Sequence, residues 1–193
     1  MAKKKAMKRA PVRAKAKARP AAKKAAAKKA AAKKVSPIPP GYTSVTPYLT
    51  VNDGAGALAF YQRAFGAREV MRMAAPGGKI GHAEMRIGNA IVMLSDEFPG
   101  VSSQKAPTSL GGTTGSLMVY VPNVDAAFKR ATDAGCTSIM APSDMFWGDR
   151  FGKLQDPYGN QWGLATHVKD VPPKEMAEGA KAAMAQMAQG SGS

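Results

Sequence analysis

The chain has very little thiol and imidazole: Cys136 is its one cysteine, and His82 and His167 are its two histidines. A lone thiol closes no internal disulfide and excludes a cysteine-built zinc cluster, which suits a reducing, cytoplasmic setting. No apolar run reaches the roughly 20 residues that cross a bilayer, so no membrane partner is expected. Acid is absent from one whole stretch. Residues 1–40 hold no Asp or Glu, no Phe, Tyr or Trp, and a single hydroxyl residue, Ser36. Such a segment has nothing with which to build a core and is expected to be disordered when free.

What that stretch does hold is cation. Fifteen of the 28 Lys and Arg lie within residues 1–34, and the thirteen that remain balance thirteen Asp and Glu, so the formal +15 belongs to the arm alone. Lysine pairs at 23/24, 28/29 and 33/34 recur every five residues. On a helix that is about 500° of rotation per step, so the pairs spiral and leave no apolar stripe for a membrane surface. A secretory signal would need an uninterrupted apolar stretch, and a transit peptide would be Ser-rich and amphipathic. The arm resembles the Lys-Ala-Pro tails of lysine-rich histones and some bacterial nucleoid proteins. Nonspecific nucleic-acid contact through its Lys and Arg, with a nucleoid-associated location, competes with a merely solubilising role. "SPIPP" at 36–40 reads as a stiff joint.

From Gly41 the pattern changes. The 45% hydrophobic content suits one domain of ordinary size with extensions. "TSVTPYLTV" alternates as a strand does, Asn52-Asp53-Gly54 turns and caps, and Ala57, Leu58, Phe60, Tyr61, Ala64 and Phe65 recur at helical spacing before Gly66. Three strands follow, "REVMRMAA", "IGHAEMRIG" and "AIVMLSD". After the connector 97–115 the unit returns: Thr46 aligns with Ser116, Val51 with Val121 and Asp53 with Asn123. The fold class predicted is α+β, two βαβββ modules from an internal duplication forming a curved mixed sheet around a shared cavity. The domains expected are the arm (1–40), the duplicated domain (41–169), and a short C-terminal helix with a disordered end (170–193). That helix carries Met176, Ala180, Met184 and Met187 at helical spacing, to pack on the domain or on a second subunit.

"PYLTVNDGAGALAFYQRAFGA", "GHAEMRIGNAIVMLSDE" and "FWGDRFGKLQDPYGNQWGLATH" together resemble the vicinal oxygen chelate superfamily, which includes glyoxalase I, bleomycin-resistance proteins and extradiol dioxygenases, and most of all its PhnB-like branch. The resemblance implies metal ligands at four places, which here fall on Thr46, Met93, Ser116 and Gly163. Two hydroxyls, a thioether and a hydrogen atom make no divalent site, so no metal and no cofactor is expected. The absent side chain of Gly163 would leave room in the cavity. The resemblance also implies a homodimer.

Strand alternation places Thr46, Tyr48, Thr50, Ser116, Met118 and Tyr120 on the cavity side, and Val45, Leu49 and Val51 toward the helix. His82, Glu84 and Arg86 share one face of their strand. Three readings of this triplet compete: solvated cross-strand pairs; the polar lining of a pocket with Tyr48, Tyr120, Trp147 and Arg150; or, with His167, a relocated metal or acid/base site. Either Trp147 and Phe151 cap the core while Asp149 and Arg150 make a structural ion pair, or Trp147 and Arg150 offer a stacking face and a charge at the cavity mouth. Cys136 reads as a small buried filler. The candidate ligand-binding set is Tyr48, Thr50, His82, Glu84, Arg86, Met93, Met118, Tyr120, Trp147 and Arg150. The expected function is small-molecule binding without a metal. A glyoxalase- or lyase-like enzyme, or a nucleoid protein acting through its arm, are the alternatives.

Overall fold

A computed structural model describes residues 35–190; the expectations for residues 1–34 of the basic arm and for the last three residues lie outside this range. A compact unit begins at Pro37. It runs β1 (Tyr48–Val51), α1 (Gly54–Phe65), β2 (Arg68–Ala74), β3 (Ile80–Ile87), β4 (Ala90–Asp96), α2 (Pro107–Leu110), β5 (Ser116–Tyr120), α3 (Val124–Ala134), β6 (Thr137–Asp144), β7 (Asp149–Gln155), β8 (Gln161–His167) and α4 (Pro173–Gly190). Two four-stranded mixed sheets result, ordered β1-β4-β3-β2 and β5-β8-β7-β6. In each, the first strand pairs in parallel with the last and the other pairings are antiparallel.

The duplication shows in the caps. Asp53 accepts from the Gly56 amide at 2.9 Å, as Asn123 does from Ala126 at 2.9 Å. The end of the last strand adds a second partner to each helix start: Asp96 Oδ1 takes the Gly54 amide and Thr166 Oγ1 the Val124 amide, both at 2.9 Å. Amides at a helix start have no partner inside the helix, and these side chains supply one. Gly66 (φ 66°) and Gly135 (φ 122°) end α1 and α3 in conformations other residues avoid.

The predicted apolar positions of α1 are all buried. They meet Leu49, Val51, Ala83, Met85 and Leu94 from the sheet and, across the module boundary, Trp162 of β8, whose ring lies 4.4 Å from that of Phe65. One core therefore serves both modules. At its centre the buried Asp156 accepts from Tyr61 Oη (2.8 Å), Trp162 Nε1 (2.8 Å) and the amides of Tyr158 and Asn160 (2.9 Å each). Burial and the Asp156 charge together push the Tyr61 phenol well up.

Each sheet keeps its other face open. Tyr48, Met71, Met73, Met118 and Tyr120 are exposed there. Val45, expected to face the helix, is 81% exposed, because the hydrogen-bonded ladder starts only at Tyr48 and the alternation does not extend before it. In α4, Met176 and Ala180 are half-buried and Gly179 sits against Phe146, whereas Met184 and Met187 are exposed. Only the first part of that helix packs on the described domain.

Candidate functional site

The shared cavity is an open cleft of about 980 Å³ at the seam between the modules. Tyr48 and Thr50 of β1 and Ser116, Met118 and Tyr120 of β5 line it, with Trp162 and Asn160 below. Both faces of the two strands reach it: Leu49, Leu117 and Val119 also line it, as does Val45, whereas Thr46, expected on the cavity side, does not. The third wall was not read from the sequence. It is the connector, which contributes Gln104, Lys105, Pro107, Leu110 and Gly112–Gly115. That segment is held by Glu97, whose carboxylate accepts from the Ala106 amide at 2.6 Å. This bond, then Ser109 and the charges of Lys105 and Lys79, keeps the Glu97 carboxyl below its usual range. Among the described lining residues Lys105 is the one charged side chain.

Behind Tyr48, on the open face of the first sheet, lies the predicted polar triplet. Tyr48 Oη is 3.1 Å from His82 Nδ1, and His82 Nε2 is 3.3 Å from Glu84 Oε1. Tyr42 donates its hydroxyl to Glu84 Oε2. That bond, more than burial, raises the Tyr42 phenol above its ordinary range. Glu84 is only 7% exposed although it is on the open face, because residues 37–46 lie across it. The same segment passes over Arg86, whose guanidinium closes on Gly41, and with Thr46 and Met93 it borders a second, smaller hollow of about 390 Å³. Pro37, Ile38 and Pro39 also border that hollow, so "PIPP" is part of the domain surface as well as the joint expected of it.

The second sheet carries a different arrangement. The buried carboxylate of Asp149 accepts from Tyr120 Oη (2.9 Å) and Trp147 Nε1 (3.1 Å) and pairs with His167 Nδ1 (2.8 Å). His167 Nε2 reaches Asp170 at 3.1 Å. Hydrogen bonds to Asp149 and Asp170 raise the His167 imidazole, and the bond to Asp149 raises the Tyr120 phenol. Arg150 is elsewhere. It is clamped by Asp125 of α3 (2.8 Å) and by Asp144 (3.1 Å), so it turns to the helix side and not to the cavity mouth, and its ion-pair partners are not Asp149. Cys136 is buried, and desolvation pushes its thiol up to about 12, consistent with a filler.

Of the four implied metal positions, Thr46 and Met93 border the smaller hollow and Ser116 lines the large cleft. Gly163 leaves no room. A β-carbon placed there would lie 2.7 Å from Met118 Sδ and 2.7 Å from Phe151 Cε2. The expected space is filled by those two side chains, so the missing substituent is a packing requirement. The donor set does not fit a divalent ion, and among the described residues no three His, Cys, Asp or Glu are grouped to hold one.

The chain is 43% identical over 135 residues to an uncharacterised protein of Mycobacterium bovis, covering 69% of this chain and 89% of that one. Protein YjdN of Escherichia coli is 30% identical over 152 residues, 66% of this chain and 97% of its own. Among solved structures, TioX from Micromonospora sp. ML1 superposes with a TM-score of 0.53 at 30% identity, over 65% of this chain and 99% of TioX. The sequence pattern of the glyoxalase family matches residues 42–164, the span that holds both capped modules and the cleft between them. With that match over more than half its length, the chain belongs to the Glyoxalase/Bleomycin resistance protein/Dioxygenase superfamily.

Proposed function

We propose that this is a PhnB-like member of the superfamily that binds a small molecule in the β1/β5 cleft without a metal. The observation that carries the reading is the lining itself: Tyr48, Tyr120, Met118 and Leu110 offer apolar and aromatic surface, and Lys105 is the lone charge. Few polar groups on an apolar concavity are the usual make-up of a small-molecule site. The ligand fitting it has a flat apolar body and one anionic group. A structural likeness to a PhnB protein from Bacillus cereus, at 19% identity and a TM-score of 0.50, agrees with the fold of that branch.

Titration with 1-anilinonaphthalene-8-sulfonate, which has such a body and such a charge, tests the cleft. Saturable binding to the wild type that weakens at least tenfold in Leu110→Asp and Lys105→Glu is the expected result. Equal binding in all three proteins would remove the cleft from the account. The reading includes a homodimer, because the apolar side chains on both open sheet faces have no cover in the described residues. It also includes nonspecific polyanion binding by the arm, supported by fifteen cations without a single acid.

A further inference from the structure

We propose that Tyr48, His82 and Glu84 form a proton relay that makes the hydroxyl of Tyr48, a residue of the cleft wall, a general base. This goes beyond ligand binding and rests on the cleft being the place where a small molecule sits.

The direction of the relay follows from its end. Glu84 accepts from Tyr42 on Oε2 and faces His82 Nε2 with Oε1. An ionised carboxylate has only lone pairs to offer, so Nε2 carries the hydrogen. In the neutral ring Nδ1 is then the bare nitrogen, and the Tyr48 hydroxyl must donate to it. O–H to N, then N–H to carboxylate, is the order in which a base is activated by a second base and oriented by a third group. Only the first member lines the cleft. His82 and Glu84 stand behind it, with Met73 and Met71 opposite them on β2 and Met93 opposite Glu84 on β4. Arg86, Arg68 opposite it on β2, and Tyr42 are the other titratable groups on this face among the described residues.

Tyr120, which lines the same cleft, cannot serve. Its hydroxyl donates straight to the ionised Asp149, which holds the proton on the phenol. A proton taken by Tyr48 Oη, by contrast, is matched by release of its own proton to His82 Nδ1, and the imidazolium formed faces Glu84. The substrate class is a flat, largely apolar molecule with one acidic C–H, N–H or O–H, whose loss leaves the single anionic charge that Lys105 of the cleft matches.

The probe is 5-nitrobenzisoxazole, a flat heteroaromatic carbon acid. In the step expected, its C3–H bond breaks with the proton going to Tyr48 Oη while the Tyr48 proton passes to His82. The C–H electron pair forms the nitrile, the ring N–O bond breaks, and the electrons leave on oxygen as 2-cyano-4-nitrophenolate, followed by its colour. Positioned general bases contribute typically 10²–10⁴-fold. We expect Tyr48→Phe and His82→Gln to lose about 10²-fold in kcat with KM little changed, and Glu84→Gln to lose less. Deuterium at C3 should slow the wild-type kcat, because C–H breaking is the step catalysed. Occupancy is read separately, from quenching of Trp162 fluorescence in a Trp147→Phe background, since Trp147 lies outside the cleft. Quenching without elimination above buffer, or elimination undiminished in Tyr48→Phe, refutes the relay. No quenching at all refutes the cleft reading instead. Tyr48→Phe removes only a half-exposed hydroxyl, so its fold is checked by an unchanged thermal midpoint.

Discussion

Replacing Gly163 by alanine sets two effects of opposite sign against each other, and the structure says which wins. Gly163 is in the middle of β8, paired with Met118 on β5 and Lys153 on β7. Glycine in a strand costs about 0.5–1 kcal/mol of backbone entropy relative to alanine, so in open space Gly163→Ala would stabilise. The space is not open. A β-carbon would come within 2.7 Å of both Met118 Sδ and Phe151 Cε2, and within 3.3 Å of Phe151 Cζ. Real contacts of that kind do not occur, so the two side chains must move. Overpacking of this order costs about 1–3 kcal/mol. Met118 is flexible and 46% exposed and yields at low cost; Phe151 is wedged beside it in β7. The net expectation is a loss of about 0.5–2 kcal/mol, or a few degrees in Tm for a domain of this size.

Urea unfolding of wild type, Gly163→Ala, Met118→Ala and the double variant closes the cycle. The double variant should recover only the smaller part of the loss, because Met118→Ala removes the obstruction that yields easily and leaves Phe151 in place. An alanine variant as stable as the wild type or more so would show that the space beside Gly163 is empty. Gly163→Glu should lose still more stability and gain no divalent metal on equilibrium dialysis, since Thr46, Met93 and Ser116 offer no second strong donor.

Four further outcomes follow from other parts of the molecule. Asp156→Ala strands the buried Tyr61 hydroxyl and Trp162 indole together with two backbone amides. At about 1–3 kcal/mol for each orphaned group it should lower the urea midpoint severely, whereas a mild loss would deny Asp156 its central place. His167 has its imidazole raised by Asp149 and Asp170. Its contribution is therefore complete below its unfolded pKa of about 6.5 and is lost as pH rises through the higher folded value. His167→Gln should flatten that part of the stability profile, and an unchanged profile would contradict the pairing. Deleting residues 1–34 should remove duplex-DNA retention and its salt slope, which scales as about 0.9 per phosphate neutralised, while leaving the domain's Tm unaltered; retention that survives deletion would place binding elsewhere. In sedimentation the protein should be a dimer that Met71→Lys with Met73→Lys dissociates, and a wild-type monomer at high concentration would refute the homodimer.

The legible parts of this molecule are those decided by neighbours in sequence. The buried stripe of α1, the Asp53 and Asn123 caps and the split of β3 into Ala83, Met85 and Ile87 against His82, Glu84 and Arg86 depend on helical or two-residue period and on local capping. The repeat could be aligned because both modules need the same caps at the same places. Val45 was misplaced because alternation holds only inside a ladder, and pairing begins at Tyr48. Gly163 was misread because a sequence shows a missing side chain and not the Met118 and Phe151 that fill its place. Tyr42 with Glu84 is a contact 42 residues apart, and the connector wall around Leu110 depends on Glu97 tying it down. Neither leaves a local trace. Arg150 had two acidic partners, Asp125 and Asp144, that only folding brings near.

Duplication of a scaffold need not duplicate its chemistry, and the two open faces show how little must change. Helix caps and strand order are shared, and each face joins a tyrosine, a histidine and a carboxylate. The order differs. On the first sheet histidine stands between tyrosine and Glu84, so the phenol donates to a neutral nitrogen that can keep the proton. On the second, Asp149 stands between Tyr120 and His167, so the phenol donates to an anion that already shares its charge with an imidazole and an indole. A proton moved from Tyr120 onto Asp149 would give up those charge-assisted bonds inside a buried site, whereas one moved from Tyr48 onto His82 creates a new pair with Glu84. Position in the hydrogen-bond chain, more than residue type, therefore separates a reactive hydroxyl from a structural one. It follows that exchanging the roles, by His82→Asp with Glu84→His, should make Tyr48 as inert as Tyr120 while keeping a tyrosine, a histidine and a carboxylate on the same face of the first sheet.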